Sequence, residues 1–81
     1  MDLSARTAAQ IGEAIRRARK ARGWTQGDVS ARTNLRVATI SSLENGEAGT
    51  KLETLLAVMA ALGLEFRLVA RGGVVEIEDI F

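Results

Sequence analysis

The stretch from Trp24 to Gly46 constrains the fold of this chain more than any other part of its sequence. It predicts two short helices joined by a tight turn. Thr25 can cap the first helix, and the pair Asn45-Gly46 can close the second. Because isolated helices this short are marginal in water, we expect both to pack on a scaffold and to present a surface.

The turn between these two helices is predicted from one residue. Asn34 separates a helix expected over 26–33, with Val29 inward, from a helix expected over 37–45, with Ile40 and Leu43 inward. Asn adopts the left-handed conformation more readily than most residues, and a turn between helices needs that conformation. Leu35 is expected to anchor the turn in the core, and Trp24 to fill the core beneath it.

Apolar residues at helical spacing on either side predict the scaffold. A first helix is expected from Thr7 to Arg22, where Gly23 ends it. A fourth is expected after Thr50, which can form a capping box with Glu53, and should end at Gly63. The inward residues expected for these two helices are Ala8, Ile11, Ile15 and Ala18, and then Leu52, Leu55, Leu56, Met59 and Leu62.

The apolar period changes to two after the fourth helix. Residues 64–68 alternate apolar and charged side chains, Gly72-Gly73 can turn the chain, and residues 74–78 form a second candidate strand. An isolated hairpin is marginal in water, so we expect pairing with a second copy of the chain. The side chains expected at a dimer interface are Phe66, Leu68, Val75 and Ile77. The alternative is that they cover the fourth helix of their own chain.

Composition excludes several classes of function. The sequence has no Cys and no His, which removes thiolate metal sites, the commonest general base and the commonest transition-metal ligand. No nucleophile–base pair is visible, so we expect no enzyme, no cofactor and no metal site. No apolar run approaches the roughly 18–20 residues that cross a bilayer. We therefore expect a soluble cytoplasmic protein without a membrane partner.

The net charge of +1 conceals a division of the chain into a basic and an acidic part. Residues 1–51 contain nine Lys and Arg against five Asp and Glu, whereas residues 52–81 contain two against five. A cationic surface suits phosphates, which an acidic one repels. The division favours a nucleic-acid side and a second side for another partner, although an ordinary mixed surface remains the simpler interpretation.

The central stretch resembles the lambda-repressor/Cro type of helix-turn-helix, the XRE family. The matching pieces are Thr25-Gln26, Thr39-Ile40-Ser41 and Leu43-Glu44-Asn45-Gly46, and the resemblance covers about residues 8–63. Ser30 stands where the family usually has Ala, and Asn34 where it usually has Gly.

The segment after the fourth helix, L-G-L-E-F-R-L-V, is similar to that of the HipB-like antitoxins, in which a C-terminal strand pairs between protomers. The fold expected is mainly α, a four-helix lambda-repressor-like domain with a C-terminal β-strand or hairpin. Residues 1–81 would then form one domain, with a helix-turn-helix core over about 8–63 and a dimerisation segment over about 64–81.

The resemblance implies positions for DNA contacts. Val37, Ala38 and Ser42 would point at base edges. Val37 and Ala38 could either contact a thymine methyl group or serve only in helix packing. Arg36 would read guanine or hold a phosphate. The full set expected at DNA is Thr25, Gln26, Arg36, Val37, Ala38, Thr39, Ser41, Ser42, Asn45 and Lys51. In the same family, the residues at the positions of Arg19 and Glu44 join the first helix to the end of the third.

Three functions follow from these observations. The first is a dimeric repressor of a palindromic operator, with half-sites about 34 Å apart, that is also the antitoxin of a HipA-like kinase toxin. The second is a stand-alone regulator of the phage or restriction-modification type. The third is a protein-interaction module that does not bind DNA, which the low net charge and the few base-reading side chains favour.

Overall fold

The computed structural model describes residues 5–70 of the 81. In this part the chain folds into four helices. They are α1 (Ala8–Ala21), α2 (Gln26–Thr33), α3 (Val37–Glu44) and α4 (Leu52–Ala61). The expectation of a mainly α fold with four helices is confirmed, and α2 has the predicted bounds.

The core lies where the four helices meet. Val29 of α2, Ile40 of α3 and Val58 of α4 are fully buried at its centre. Completely burying a Val or Ile side chain contributes roughly 1.5–3 kcal/mol relative to leaving it exposed. The rest of the buried apolar cluster consists of Ile15, Ala18, Leu43, Leu55 and Leu62. Leu35 is half-buried and packs against it, as expected, whereas Trp24, expected to fill the core, is half-buried and packs against it from outside.

The first helix is one residue shorter at each end than predicted. Thr7 is its N-cap, and the Thr7 hydroxyl accepts a hydrogen bond from the backbone N–H of Gln10. Arg22 is the C-cap. Ala8, expected inward, is exposed in the first turn of α1.

A capping box begins α2. The backbone N–H of Asp28 donates to Thr25 Oγ1 at 3.1 Å, and the backbone N–H of Thr25 donates to Asp28 Oδ2 at 2.8 Å. The box satisfies two backbone donors that would otherwise lack an intrahelical partner. The hydrogen bond from the Thr25 backbone, followed by that involving its side chain, holds the pKa of Asp28 below its ordinary value.

The lowered pKa of Asp28 gives a predicted dependence of stability on pH. The stabilisation is fully present above the ordinary Asp pKa of about 4 and is lost as the pH falls through the lower pKa of the folded state. The Asp28→Asn variant should therefore melt at a lower temperature near neutral pH and lose less stability on acidification. Circular dichroism melts between neutral and acidic pH test this, with Glu13→Gln, an exposed carboxylate of α1, as control. Parallel curves for wild type and Asp28→Asn would contradict it.

The predicted cap and the predicted apolar stripe of α4 are both wrong in part. Lys51 is the N-cap and makes no side-chain cap, whereas Thr50 Oγ1 lies 3.5 Å from the carbonyl oxygen of Glu47. Leu52 and Leu56, expected inward, are 64% and 45% exposed. The buried stripe contains Val58 instead, together with Leu55 and Leu62. Apolar residues lie on nearly every side of this helix, so their spacing alone does not select the buried face.

The chain after α4 has no regular secondary structure in the described residues. Gly63, with a φ of +70°, ends the helix, and the N–H of Leu64 donates to the carbonyl of Met59 at 2.8 Å. The predicted strand over 64–68 is not formed within residues 5–70. A strand needs a neighbour for its ladder of hydrogen bonds, and this part of the chain supplies none. Phe66 is 48% and Leu68 is 94% exposed, so Leu68 does not cover α4. Val75, Ile77 and the second candidate strand lie outside the described residues.

Candidate nucleic-acid interface

The outer side of α3 is not covered by any part of the described chain. Ile40, Leu43 and Glu44 of α3 are buried against the other helices. On the opposite side, Val37 is 47% exposed and Ala38 is exposed. The other expected contact residues on this side are Ser41 and Ser42, which are half-buried, and Asn45, which is exposed. A helix displayed in this way has the form required to enter a DNA major groove.

Side chains of α2 fix the turn that leads into α3. Asn34 has φ +62°, in the left-handed region. The hydroxyl of Ser30 donates to the carbonyl oxygen of Leu35. Thr33 Oγ1 donates to the carbonyl oxygen of Val29 at 2.8 Å and accepts from the N–H of Leu35 at 3.3 Å. The two departures from the family pattern, Ser30 and Asn34, thus both contribute to a fixed angle between the helices.

An open groove separates α3 from the loop that leads to α4. The groove has a volume of about 530 Å³. Five of the residues expected at DNA line it, namely Arg36, Ala38, Thr39, Ser42 and Lys51. Arg36 and Lys51 are exposed cations that end up in one groove although they are fifteen positions apart in the sequence. Thr25, Gln26, Val37, Ser41 and Asn45 are not among its lining residues.

A buried ion pair ties α1 to the end of α3. Arg19 Nε donates to Glu44 Oε2 at 2.7 Å and Arg19 Nη2 to Glu44 Oε1 at 3.0 Å. The third nitrogen, Nη1, donates to the carbonyl oxygen of Trp24 at 2.8 Å. The side chains are 10% and 3% exposed. The hydrogen bonds to Glu44 raise the pKa of Arg19, against the opposing effect of burial. Three of the five N–H groups of Arg19 thus donate within the protein.

The same carboxylate holds Gln26, the first residue of α2. Gln26 Nε2 donates to Glu44 Oε1 at 3.2 Å, and Gln26 is half-buried. The orientation of this amide is therefore set by the end of α3. Thr25, next to it, is exposed and caps α2 with its hydroxyl.

Gly12 and Gly46 allow α1 to lie close to the end of α3. Neither is among the predicted site residues. A Cβ placed on Gly12 would lie 2.5 Å from the carbonyl oxygens of Leu43 and Glu44, and a Cβ on Gly46 would lie 2.6 Å from Ala9 Cα. Glycine inside an amphipathic helix lowers its stability, so its presence in α1 is a sequence signal for close packing.

Two arginines contact the ring of Trp24 at the edge of the core. The guanidinium carbon of Arg32 lies 4.1 Å from the ring centroid and that of Arg22 lies 5.1 Å away. Arg22 Nη2 also donates to the carbonyl oxygen of Leu62 at 3.0 Å. These contacts join the ends of α1, α2 and α4 and so support the pair of helices that carries the site.

The described residues limit what else the molecule can hold. Within residues 5–70, no group of three or more acidic residues is placed to bind a metal ion. No helix of this part is both long and apolar enough to cross a membrane.

Comparison with known proteins identifies the family. The model of the helix-turn-helix family matches residues 15–69. The chain belongs to the helix-turn-helix family. The matched family is not an enzyme family. This helix-turn-helix protein is 32% identical over 59 residues to antitoxin HipB of Escherichia coli O6:H1, an alignment that covers 73% of the chain and 63% of HipB.

Two further comparisons place the chain among its relatives. It is 33% identical over 61 residues to multiprotein-bridging factor 1 of Schizosaccharomyces pombe, covering 75% of the chain and 41% of that protein. Among solved structures, HipB in the HipA-HipB-O2-O3 complex superposes with a TM-score of 0.78 at 28% identity, covering 84% of the chain and 96% of that HipB chain. The chain thus spans less than two thirds of the length of each of these two curated relatives, HipB and multiprotein-bridging factor 1. The resemblance to the XRE type and to its HipB-like subgroup is confirmed.

Proposed function

We propose that this helix-turn-helix protein is a dimeric, sequence-specific DNA-binding repressor in the cytoplasm and the antitoxin of a HipA-like kinase toxin. The observation that carries the DNA-binding part is the uncovered outer side of α3, fixed on its support and flanked by Arg36 and Lys51. Cations beside a displayed helix can hold phosphates while the helix reaches the bases. Residues 1–81 would act as one domain.

The expected DNA contacts divide into two groups. Arg36, Val37, Ala38, Ser42 and Asn45 would lie in the major groove, where hydroxyl and apolar groups give limited base discrimination. Thr25, Gln26, Thr39, Ser41 and Lys51 would contact the sugar–phosphate backbone. The amide of Gln26 would then lie between Glu44 and a phosphate, so that the orientation of α3 and the contact with the DNA backbone would depend on each other.

The antitoxin part is supported by the relatives. HipB is named an antitoxin, and it is found with HipA in a solved complex. The C-terminal part of this chain is acidic, with two basic against five acidic residues after position 51, and such a charge suits a partner other than DNA. Sequencing the adjacent reading frame separates this function from that of a stand-alone regulator, since an antitoxin gene has a toxin gene beside it.

Binding to DNA should depend steeply on salt. Phosphate contacts release counterions, so the logarithm of the affinity should fall linearly with the logarithm of salt concentration. Arg36→Ala should weaken binding to the duplex upstream of the gene by roughly 1–3 kcal/mol if Arg36 reads a base, and should reduce the salt slope by about 1 if it holds a phosphate. Gel shifts at several salt concentrations measure both quantities.

The matched control is Arg17→Ala, which removes the same charge from the exposed side of α1, outside the groove. It should affect binding less than Arg36→Ala does. An affinity that does not change with salt would contradict DNA binding, and equal effects of the two variants would remove Arg36 from the site.

The dimer should form through the segment after α4. We propose that residues 64–68 become a strand when a second copy supplies the neighbouring strand, with Phe66 and Leu68 at the interface and Val75 and Ile77 in the following strand. Phe66 and Leu68 are two positions apart and exposed in the single chain. Side chains at this spacing lie on one face of a strand, which gives two copies an apolar surface to share.

Replacing Phe66 and Leu68 together with Glu should produce monomers. Burying each apolar side chain contributes roughly 1.5–3 kcal/mol, so the dissociation constant of the dimer should rise by more than about 100-fold. Light scattering over a concentration series measures it, with Arg67→Ala, on the opposite face of the proposed strand, as control. An intact dimer would place the interface elsewhere, for example at the exposed Leu52 and Leu56 of α4.

A protein-bridging function is the second candidate. The observation in its favour is the 33% identity to multiprotein-bridging factor 1, together with the few base-reading side chains of α3. Such a module would show no salt-dependent affinity for the upstream duplex, so the experiment with Arg36→Ala also decides between the two functions.

A further inference from the structure

An acidic side chain lies in the groove proposed to face DNA. Glu47 lines the groove together with Arg36, Ala38 and Ser42. Its backbone N–H donates to the carbonyl oxygen of Ser42 at 3.0 Å, which fixes the start of the loop to the C-terminal end of α3. Its side chain is exposed. The backbone of Glu47 is thus fixed relative to the residues that would read bases.

Neither neighbouring cation neutralises this carboxylate. Within residues 5–70, ion pairs of 4 Å or less join Arg19 to Glu44 and Arg67 to Glu65. Glu47 forms none with Arg36 or Lys51, although all three line one groove. An unpaired anion at this position repels phosphates and so opposes binding that depends on the DNA backbone alone.

A carboxylate can, however, recognise a base that the other side chains cannot. Arg36 and Lys51 only donate hydrogen bonds, Ala38 has no polar group, and the hydroxyls of Thr39 and Ser42 both donate and accept. Among these groove-lining side chains and Glu47, only the carboxylate accepts without donating. In the major groove, this acceptor matches the N4 amino group of cytosine. The guanine paired with that cytosine presents the acceptors N7 and O6, which suit Arg.

We propose that Glu47 is a specificity-determining residue that accepts a hydrogen bond from the N4 amino group of a cytosine and disfavours binding to DNA without that cytosine. This inference rests on the proposed DNA-binding function and adds a residue of the α3–α4 loop to its reading surface. Replacement of Glu47 should change which sequence is bound, with little effect on folding, because the side chain is exposed.

Selection from a pool of randomised DNA duplexes tests the proposal whatever the operator sequence is. The full chain, Glu47→Gln and Glu13→Gln are compared. Glu13 is an exposed carboxylate of α1 outside the groove, so its variant controls for the change in net charge. The wild type and Glu13→Gln should enrich one half-site motif with a fixed cytosine. Glu47→Gln should lose about tenfold in discrimination at that position and shift toward adenine, which a Gln amide pairs with.

A second measurement tests the repulsion between the Glu47 carboxylate and the DNA phosphates. The affinity for a duplex of shuffled sequence should rise about threefold more in Glu47→Gln than in Glu13→Gln, since the lost anion lies closer to the phosphates. An unchanged motif in Glu47→Gln, or equal changes in both variants, would overturn the assignment of Glu47 while leaving DNA binding intact. A wild type that enriches no motif and binds without salt dependence would overturn the proposed function, and this inference with it.

Discussion

Replacing Arg19 with Met should lower the free energy of unfolding by about 3–5 kcal/mol, the typical cost of leaving a buried charge without its partner. The Glu44 side chain is 3% exposed and receives two hydrogen bonds from Arg19. Without them, the carboxylate keeps one described partner, the amide of Gln26. A loss of this size is a large fraction of the stability of a small domain. Urea denaturation followed by circular dichroism measures it.

The double variant Arg19→Met/Glu44→Leu removes the ion pair without leaving an unpaired buried charge, whereas Arg19→Met leaves the Glu44 carboxylate unpaired. Apolar residues of similar volume often replace a buried ion pair without loss of stability. We therefore expect the double variant to be more stable than Arg19→Met. Equal stability of Arg19→Met and wild type would show that Glu44 reaches water in solution.

Replacing Gly12 with Ala should be the second most destabilising change, by about 3 kcal/mol, near the upper end of typical overpacking costs. The new Cβ would lie 2.5 Å from the carbonyl oxygens of both Leu43 and Glu44. Those oxygens belong to the backbone of α3 and cannot rotate away, so α3 must shift relative to α1. Thermal denaturation measures the loss, and amide chemical shifts of α3 report its displacement.

Gly27 offers a matched control for Gly12, since both are glycines inside a helix. A Cβ on Gly27 would meet its nearest neighbour, Thr25 Oγ1, at 3.5 Å, an ordinary contact. Gly27→Ala should therefore stabilise the protein by about 0.4–1 kcal/mol by reducing the freedom of the unfolded chain. Similar effects of the two substitutions would mean that the close approach of α1 and α3 does not persist in solution.

The parts of the fold that depend on neighbouring residues in the sequence could be predicted from it. The bounds of α2 follow from Thr25 at its start and Asn34 at its end, and the structure has both a capping box and a left-handed residue there. The exposure of Val37 and Ala38 follows from the spacing of Ile40 and Leu43. The positions proposed to contact DNA were available from the family pattern, because that pattern records which side of α3 faces outward.

The parts that depend on distances between helices could not be predicted in this way. The sequence does not show that Gly12 meets the end of α3, that Val58 rather than Leu52 is buried, or that Lys51 replaces Thr50 at the cap. The position of Glu47 in the groove depends on the path of the loop after Gly46. The alternation over 64–68 predicts a strand, but a strand also needs a neighbouring strand to pair with, and residues 5–70 supply none.

The contact of Trp24 with two arginines has a practical consequence. Trp24 is the chain's single tryptophan, with the guanidinium groups of Arg22 and Arg32 on its ring. Its intrinsic fluorescence therefore reports on one location, where three helix ends converge. Unfolding removes both cations and exposes the indole to water, which moves the emission maximum to longer wavelength. The protein thus carries its own optical probe, and no dye has to be attached to follow its denaturation.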